Sequence, residues 1–232
     1  MKTMGLIGGM SWESTVTYYQ VVNRTVREEL GGLHSARCVL WSVDFQEIEE
    51  CQARGDWDRA GGILADAARS LERAGADFIV ICTNTMHKVA ERVREAISIP
   101  LLHIADLTAD VLLERGIRRV GLLGTKYTME QDFYKERLVA RGIEAMVPGA
   151  GDRERMNDII YHQLCLGVVE PESKAFALRL VGGLAEAGAG GVILGCTEIG
   201  LLIGQGDTDC PLFDTALIHA REAALFAMGK QR

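Results

Sequence analysis

An internal repeat constrains the fold of this chain more than any other feature. Residues 71–85 align with residues 184–198 without a gap, a shift of 113 positions, and share a leucine, an Ala-Gly-Ala turn and an apolar run in the same order. Residues 5–9 align with residues 121–125 at a shift of 116 positions, which requires only a small difference in loop length. Two matches at nearly one period indicate a duplicated structural unit.

Short apolar runs alternate along the chain with longer segments of helical period. The runs cover residues 5–7, 38–43, 78–81, 101–104, 120–123 and 192–194, with a weaker one at 144–147. In segments such as 59–74, apolar residues recur every three or four positions, as in an amphipathic helix. Buried strands separated by helices are typical of parallel sheets. We therefore predict an α/β fold with two similar, doubly wound, parallel-sheet domains.

The repeat also predicts where the domains divide. We expect a first domain over residues 1–104 and a second over 105–214, with a C-terminal helix over 215–232 that packs back on the first domain. Ligands of open α/β sheets bind beyond the carboxyl ends of the strands. The polar clusters that follow the repeated strands, 82–87 and 195–198, are therefore expected to face each other across a cleft that holds the active site.

Charge and composition exclude several classes of protein. With 48% hydrophobic and 25% charged residues, the chain has the composition of a globular protein, not of a disordered or collagen-like one. The formal net charge of −7 leaves no broad cationic surface for a nucleic acid or an anionic membrane. We expect the partner to be a small molecule.

The N-terminal residues lack the uninterrupted apolar stretch of an export signal, and no run of about 18 apolar residues indicates a membrane span. The six cysteines show no Cys-x-x-Cys spacing. We therefore expect a cytoplasmic protein with reduced thiols and no metal site.

Cys196 is the strongest candidate for a reactive group. It follows an apolar run and precedes Thr197 and Glu198, so it is expected at a strand end where a helix begins. Backbone N–H groups and the helix dipole at such a position stabilise a thiolate, so we expect a lowered pKa and a thiol that can act as a base. A buried structural role is the alternative, and it is the one we expect for Cys38, Cys51, Cys165 and Cys210.

The first cluster offers a hydroxyl at the equivalent position. The repeat places Thr83 opposite Cys196, whereas Cys82 falls opposite Gly195. Because successive side chains of a strand point to opposite faces, we expect Thr83 to face the ligand and Cys82 to face the packed layer. His87, four residues beyond Thr83, either orients it or is a partly buried histidine with satisfied hydrogen bonds.

The segment 5–11 resembles a dinucleotide-binding turn only superficially. Its glycines do not have the G-x-G-x-x-G spacing, and no acidic residue follows about 20 positions later. We interpret it as a tight strand-to-helix turn that exposes backbone N–H groups to an anion near Met10 and Ser11.

Three motifs together resemble the cofactor-independent aspartate/glutamate racemase family. They are Gly8-Gly9-Met10-Ser11, Thr83-Asn84-Thr85-Met86-His87 and Gly195-Cys196-Thr197-Glu198, and the resemblance extends over essentially the whole chain. It implies two α/β domains and a cysteine from each that acts as acid or base at the substrate α-carbon. Neither pyridoxal phosphate nor a metal takes part, and a homodimer is expected.

The chain departs from the two-cysteine pattern, because Thr83 stands where the family has its first cysteine. It is similar in this respect to the subgroup specific for L-aspartate and L-glutamate, in which a threonine and a cysteine form the catalytic pair. By this resemblance Thr83 and Cys196 are the catalytic residues. The resemblance also assigns substrate binding to Met10, Gln52, Asn84, Thr85, Thr197 and Glu198.

One substrate contact of the family has no counterpart. Some members carry a lysine after a Leu-x-x-Gly segment, but valines occupy the corresponding positions 168 and 169. Lys174 is the nearest lysine along the chain and an untested substitute for the contact with the side-chain carboxylate.

A threonine–cysteine pair has unequal partners. A thiolate removes the α-proton of one enantiomer, and a hydroxyl returns a proton to the other face. The reverse direction requires a threonine base that scarcely exists near neutral pH. A preference for one starting enantiomer must therefore be kinetic, and by resemblance that enantiomer is L.

Other functions remain open on the sequence. A decarboxylase of a malonate-type acid would need only one cysteine, and a threonine at position 83 suits it. A non-catalytic protein that binds small acids would keep all its activity after Cys196→Ala. A dehydrogenase is the weakest alternative because its cofactor fingerprint is missing.

Overall fold

The computed structural model describes residues 1–230 and divides into two compact units. The first unit comprises Met1–Ile104 together with the chain from His219 onward, and the second comprises Ala105–Ile218. Each unit contains one four-stranded parallel sheet.

The sheet of the first unit has the strand order β2-β1-β3-β4, and all its pairings are parallel. Its strands are β1 (Met4–Gly8), β2 (Cys38–Ser42), β3 (Phe78–Ile81) and β4 (Leu101–Leu102). The central strands β1 and β3 are buried along their whole length, which explains their continuous apolar sequences. Their carboxyl ends lie side by side, since Ile7 pairs with Ile81.

Helices cover this sheet. They are α1 (Trp12–Leu30), α2 (Phe45–Arg54), α3 (Trp57–Arg73) and α4 (Ala90–Glu95), and a 3-10 helix covers Thr85–Val89. Helix α3 begins after Asp56, whose side chain accepts a hydrogen bond from the Arg59 N–H at 3.0 Å. Its buried face includes Ala60, Leu64 and Leu71, at the spacing of an amphipathic helix. This face closes the apolar core of the first unit.

The second unit repeats the arrangement, with the parallel strand order β6-β5-β7-β8. Its strands are β5 (Arg119–Gly124), β6 (Glu144–Met146), β7 (Val192–Gly195) and β8 (Leu212–Asp214). Its helices are α5 (Ile104–Glu114), α6 (Lys126–Glu130), α7 (Asp132–Ala140), α8 (Ala150–His162), α9 (Pro171–Glu186) and α10 (Ile199–Leu202), with 3-10 helices at Leu164–Leu166 and Gln205–Asp207. None of the helices within residues 1–230 has the length and apolar character needed to cross a membrane.

Two glycines show that the units share their packing as well as their topology. A Cβ atom added to Gly5 in β1 would lie 3.2 Å from Cβ of Leu71 in α3. The corresponding Cβ at Gly121 in β5 would lie 3.1 Å from Cβ of Leu184 in α9. In both units the helix that precedes the third strand therefore packs directly on the backbone of the first strand. The repeat in the sequence corresponds to this repeated contact.

The strands differ from their sequence prediction in two places. Strand β8 is not among the predicted runs, because three residues after Pro211 carry too little periodicity to be recognised. The run 101–104 contains only the two-residue strand β4, and helix α5 already begins at Ile104. The other six strands lie within about one residue of the predicted runs.

The C-terminal helix is α11 (Thr215–Ala227), shorter than the predicted 215–232, and residues 231 and 232 of that prediction lie outside the described residues. Its part in the first unit contacts the residues just before β1 and the strand β3. The Lys2 N–H donates to the Ala227 carbonyl at 2.8 Å, and the Phe226 ring meets the Phe78 ring edge to face at 4.9 Å between centroids.

Candidate active site

Thr83 and Cys82 follow β3 and differ in exposure. Cys82 is fully buried, and Thr83 is 9% exposed. Burial raises the pKa of the Cys82 thiol far above its usual range, and its sulfur lies 3.8 Å from the Val80 carbonyl oxygen. Cys82 is therefore a protonated packing residue, and Thr83 is the less buried of the two residues at this strand end.

His87 holds the backbone of Thr83, not its hydroxyl. The Ile104 N–H donates to Nε2 of His87 at 3.2 Å, so this nitrogen must be the acceptor. The proton of the neutral ring then resides on Nδ1, which donates to the Thr83 carbonyl oxygen at 2.7 Å. His87 is thus a buried histidine with satisfied hydrogen bonds, and it fixes the position of the residue that it was predicted to orient.

Asn84 and Thr85 continue the strand end as buried polar residues, with exposed fractions of 1% and 6%. They lead directly into the 3-10 helix at Thr85–Val89. Buried polar groups require hydrogen-bonding partners, so two such residues at a strand end are typical of a binding site or of a structural cap. Their predicted role in substrate binding stays a prediction.

The turn after β1 adopts the tight geometry expected from its glycines. Gly9 has a φ of 92°, and a Cβ atom there would collide with the Val43 carbonyl oxygen. The Gly9 N–H donates to Thr15 Oγ1 at 2.8 Å, and the Thr15 hydroxyl donates to the Ser11 carbonyl at 2.9 Å. The turn is therefore held by the helix that follows it.

Met10 and Gln52 lie inside the first unit. Met10 is 3% exposed and belongs to the apolar core. Gln52 is 4% exposed, and its amide nitrogen lies 3.1 Å from the sulfur of Met86. These contacts give both side chains a structural role in this unit, and their predicted contacts with substrate stay predictions.

Cys196 follows β7 in the second unit and is hydrogen-bonded to Glu198. The distance from Cys196 Sγ to Glu198 Oε2 is 2.9 Å. The Thr197 hydroxyl donates to the same oxygen at 2.8 Å. All three residues are buried, with exposed fractions of 7%, 6% and 3% for Cys196, Thr197 and Glu198. A thiol, a hydroxyl and a carboxylate therefore form one compact group at this strand end.

The predicted lowering of the Cys196 pKa is wrong. Burial raises the pKa of this thiol well above its ordinary value, and the charge of Glu198 raises it further. The predicted helix dipole is also small here, because α10 begins only at Ile199 and has four residues. Cys196 therefore rests as a thiol that donates a hydrogen bond, not as a free thiolate.

Asp214 is a second buried acid near this group, and the sequence analysis missed it. Its carboxylate caps α11 by accepting the N–H groups of Ala216 at 2.9 Å and Leu217 at 3.1 Å. Burial raises the pKa of Asp214 to about 6 against the lowering effect of these two hydrogen bonds, and the charge of Glu198 adds to the rise. An acidic N-cap before an apolar helix was the available sequence signal.

Gly200 provides the space for Asp214. A Cβ atom at Gly200, two residues after Glu198, would collide with Asp214 Oδ2. The backbone of α10 therefore approaches the carboxylate to a distance that a side chain would prevent.

The end of β5 adjoins the end of β7, since Gly124 pairs with Gly195. Thr125 follows Gly124 and caps α6, with its hydroxyl oxygen 3.4 Å from the Thr128 N–H and 3.3 Å from the Thr128 hydroxyl oxygen. Both threonines are buried. Thr128 lies against Gly195, the residue before Cys196, so these two threonines are polar side chains near the end of β7 that the sequence motifs did not indicate.

Lys174 is engaged elsewhere. Its ammonium nitrogen lies 2.7 Å from Asp207 Oδ1, which lowers the pKa of that carboxyl. Val168 and Val169, at the positions of the missing lysine, are exposed. Lys174 is therefore an ion-paired surface residue in this structure.

Within residues 1–230, no group of three or more histidine, cysteine, aspartate or glutamate side chains is arranged to hold a metal ion. The thiol, hydroxyl and carboxylates at the two strand ends are groups that can transfer protons.

Solved structures with the same fold include two that are similar over almost the whole chain. One is a protein from Yersinia pestis named as a candidate Asp/Glu racemase, with 53% identity and a TM-score of 0.91, covering 98% of this chain and 100% of that one. Another is an aspartate racemase homologue from Pyrococcus horikoshii, with 38% identity and a TM-score of 0.85 over 98% of this chain and 100% of that one. They confirm the predicted fold class of two parallel-sheet α/β units.

The family and a curated relative agree with these structures. The chain is 25% identical over 169 residues to the broad specificity amino-acid racemase RacX of Bacillus subtilis, which is 72% of this chain and 71% of that protein. The model of the Asp/Glu/Hydantoin racemase family matches residues 7–223. The predicted enzyme class, an amino-acid racemase among the isomerases, is thereby confirmed, and the chain belongs to the Asp/Glu/hydantoin racemase family.

Proposed function

We propose that this racemase acts on acidic amino acids and converts L-aspartate or L-glutamate to the D form without pyridoxal phosphate. Cys196 removes the α-proton, and Thr83 returns a proton to the opposite face of the α-carbon. The names of the Pyrococcus horikoshii and Yersinia pestis proteins support the substrate class, and the breadth in the name of RacX leaves room for further amino acids.

One observation carries the choice of residues. Thr83 and Cys196 align in the gap-free repeat of 71–85 with 184–198, and they follow the ends of β3 and β7 by two residues and one residue respectively. Thr83 carries a hydroxyl and is less buried than its neighbour Cys82, and Cys196 carries a thiol that is hydrogen-bonded to the buried acid Glu198. Cys82, the other thiol near this position, is fully buried and does not compete.

The carbanion that forms after proton removal needs stabilisation. Backbone N–H groups near Asn84, Thr85 and Thr197 are suited to this task, because fixed dipoles in a water-poor site stabilise developing negative charge strongly. Neutral polar residues dominate the two strand ends, so we assign the substrate carboxylates to hydrogen bonds from threonine, asparagine and backbone donors.

The unequal pair makes the two directions kinetically different. A thiol can be deprotonated near neutral pH with help from its surroundings, whereas a threonine hydroxyl has almost no alkoxide population. We therefore expect faster α-proton loss from the enantiomer whose α-hydrogen faces Cys196. By resemblance to the threonine–cysteine subgroup, that enantiomer is L.

The test is hydrogen exchange in D₂O with L-aspartate and, separately, L-glutamate, with and without added pyridoxal phosphate. NMR follows the loss of the α-proton, and chiral chromatography follows the enantiomer. Cys196→Ala and Thr83→Ala test the pair, and Cys210→Ala is the matched control. Cys210 is a partly buried thiol beside the amino end of β7, where the Val192 N–H donates to the Pro211 carbonyl at 2.8 Å, and Cys196 follows the opposite end of that strand. We expect exchange with inversion in the native protein and the control, and its loss in Cys196→Ala.

Other outcomes would change the proposal. Exchange without inversion would mean that Cys196 works alone and that Thr83 delivers no proton. Absence of exchange with either acid would refute the substrate class, and release of carbon dioxide from a malonate would then favour the single-cysteine decarboxylase.

A further inference from the structure

The proposed reaction requires a thiolate, but the structure shows Cys196 as a buried thiol. Taking a proton from this sulfur to bulk water would leave an isolated charge in a buried position, which is costly. A base within hydrogen-bonding distance avoids this cost, because the proton and the charge then stay together. The identity of this base is inferred here, and the inference rests on the proposed function.

We propose that Glu198 holds the proton of Cys196, so that the pair enters the reaction as a thiolate and a carboxylic acid. The Sγ to Oε2 distance of 2.9 Å already describes the hydrogen bond along which this proton moves. The Thr197 hydroxyl donates to the same oxygen at 2.8 Å, which fixes the carboxylate towards the sulfur. Glu198 therefore has a role in proton transfer in place of the substrate contact expected from the resemblance.

Every proton in this step is accounted for. The S–H bond of Cys196 breaks, an O–H bond forms on Glu198, and the net charge of the pair remains −1. The thiolate then takes the α-proton of the substrate and becomes a thiol again, while Thr83 gives a proton to the carbanion. The proton on Glu198 returns to Thr83 through solvent, which restores the starting state without an oxidant, a reductant or a further reactant.

Asp214 is the second carboxylate of this buried region, and the charge of Glu198 adds to the rise of its pKa. The close approach of Asp214 to α10 is possible because position 200 is glycine. Its two backbone hydrogen bonds from α11 hold the charge of Asp214 in place. The other titratable group that acts on Cys196 is Cys165, which also opposes a free thiolate.

The distinguishing measurement is the pH dependence of two rates between pH 7 and pH 9. One is the alkylation of Cys196 by iodoacetamide, located by mass spectrometry, and the other is α-proton exchange of L-aspartate in D₂O. Transfer of the Cys196 proton to Glu198 leaves the net charge of the pair unchanged. The fraction of the protein that holds a thiolate and a carboxylic acid is therefore independent of pH in this range, and so are both rates. In Glu198→Gln the thiolate forms only when Cys196 loses its proton to solvent, so both rates should rise about tenfold per pH unit.

We expect Glu198→Gln to lower the exchange rate about a hundredfold at pH 7, with the deficit shrinking as the pH rises. Asp214→Asn should leave the profile flat, because it leaves the hydrogen bond between Cys196 and Glu198 in place. Glu186→Gln, which removes an exposed carboxylate from α9 in the same unit, should change neither the level nor the slope.

Each outcome decides a separate question. A sloped profile in the native protein, or a flat one in Glu198→Gln, would overturn the assignment of Glu198. A flat alkylation profile that becomes sloped in Glu198→Gln, in a protein that exchanges no α-proton, would retain the proton-holding pair and refute the racemase reaction. Alkylation of Cys196 reports on the pair even if a variant binds substrate poorly.

Discussion

Tyr18 donates its phenolic hydroxyl to Nδ1 of His219 at 2.8 Å, across 201 positions of sequence. The direction of this hydrogen bond follows from the contact that the other ring nitrogen makes. Nε2 of His219 lies 3.0 Å from the Leu102 carbonyl oxygen, which can only accept, so the proton of the neutral ring resides on Nε2. One tautomer therefore satisfies both contacts, and it joins α1, β4 and α11 within the first unit.

This relationship predicts acid sensitivity. Burial lowers the pKa of His219 to about 4 in the folded state, from an ordinary value of 6.5. Between these values the unfolded chain binds a proton that the folded protein excludes, so stability falls as the pH drops below 6.5. We expect His219 to account for a loss of about 2 kcal/mol between pH 7 and pH 5, measured by urea unfolding.

The comparison variant is His219→Gln, which keeps a donor and an acceptor but cannot be protonated. It should be less stable at pH 7 yet lose less stability on acidification than the native protein. His34→Gln changes an exposed histidine and should retain the native dependence. Equal pH dependence in the native protein and His219→Gln would contradict the prediction.

A second prediction concerns the repeated contact between the first strand and the helix of each unit. Gly5→Ala and Gly121→Ala each place a Cβ atom within 3.0 Å of apolar side chains, 2.8 Å from Ile79 and from Leu184 respectively. Each should lower the free energy of unfolding by about 1 to 3 kcal/mol. Gly182→Ala, in α9 where no atom lies within 4 Å of the new Cβ, should instead raise it by about 0.5 to 1 kcal/mol. Chemical denaturation measures all three.

The repeat explains why much of the fold is predictable from the sequence. Buried parallel strands leave continuous apolar runs, and the register between the two halves pairs Thr83 with Cys196 before any coordinates are known. The expectation that Cys82 faces the packed layer follows from the repeat register together with strand alternation, and its full burial agrees with this expectation.

The electrostatics of Cys196 could not be predicted in the same way. A strand-end position indicates a lowered thiol pKa. The direction of the pKa shift of Cys196 instead depends on its burial and on the orientation of the Glu198 carboxylate, and the local sequence encodes neither. Asp214 was missed because its proximity to α10 depends on β8, a strand too short to show a pattern. Contacts between distant segments decide such details.

The third prediction uses Gly200→Ala. The new Cβ atom would displace the Asp214 carboxylate, which then loses its place against α10 and its capping of α11. We expect a loss of about 1 to 2 kcal/mol in unfolding free energy, together with a reduced α-proton exchange rate. Gly204→Ala, at a nearby position with open space around the new Cβ, is the control. Unchanged stability and exchange in Gly200→Ala would contradict the described packing.

The fourth prediction tests the unequal pair. Thr83→Cys replaces a hydroxyl by a group that can form a thiolate, so it should accelerate α-proton loss from the D enantiomer more than from L, by about tenfold or more. Initial exchange rates from each enantiomer in D₂O measure the ratio. Thr83→Ser, which keeps a hydroxyl, should leave the ratio near the native value, and an unchanged ratio in Thr83→Cys would argue against Thr83 as a proton donor.

The fifth prediction concerns Lys174. Because its ammonium group is paired with Asp207, Lys174→Ala should leave the KM for L-aspartate within about twofold of the native value. Steady-state kinetics at constant ionic strength test this. A rise of tenfold or more in KM, with kcat unchanged, would show that the lysine leaves Asp207 to bind the substrate carboxylate.

Because Cys82 is fully buried, the thiol that a reagent can modify in the proposed catalytic pair is that of Cys196. Because the residue beside Cys82, Thr83, carries a hydroxyl that mild electrophiles and peroxides leave intact, the proposed pair can be disabled covalently at one atom only, the sulfur of Cys196. A pair of two thiols would offer two targets and could be poisoned from either direction of the reaction. Under the proposed reaction, a covalent inhibitor should therefore place its electrophile where the α-hydrogen of L-aspartate or L-glutamate would lie, and its mirror image should be inert.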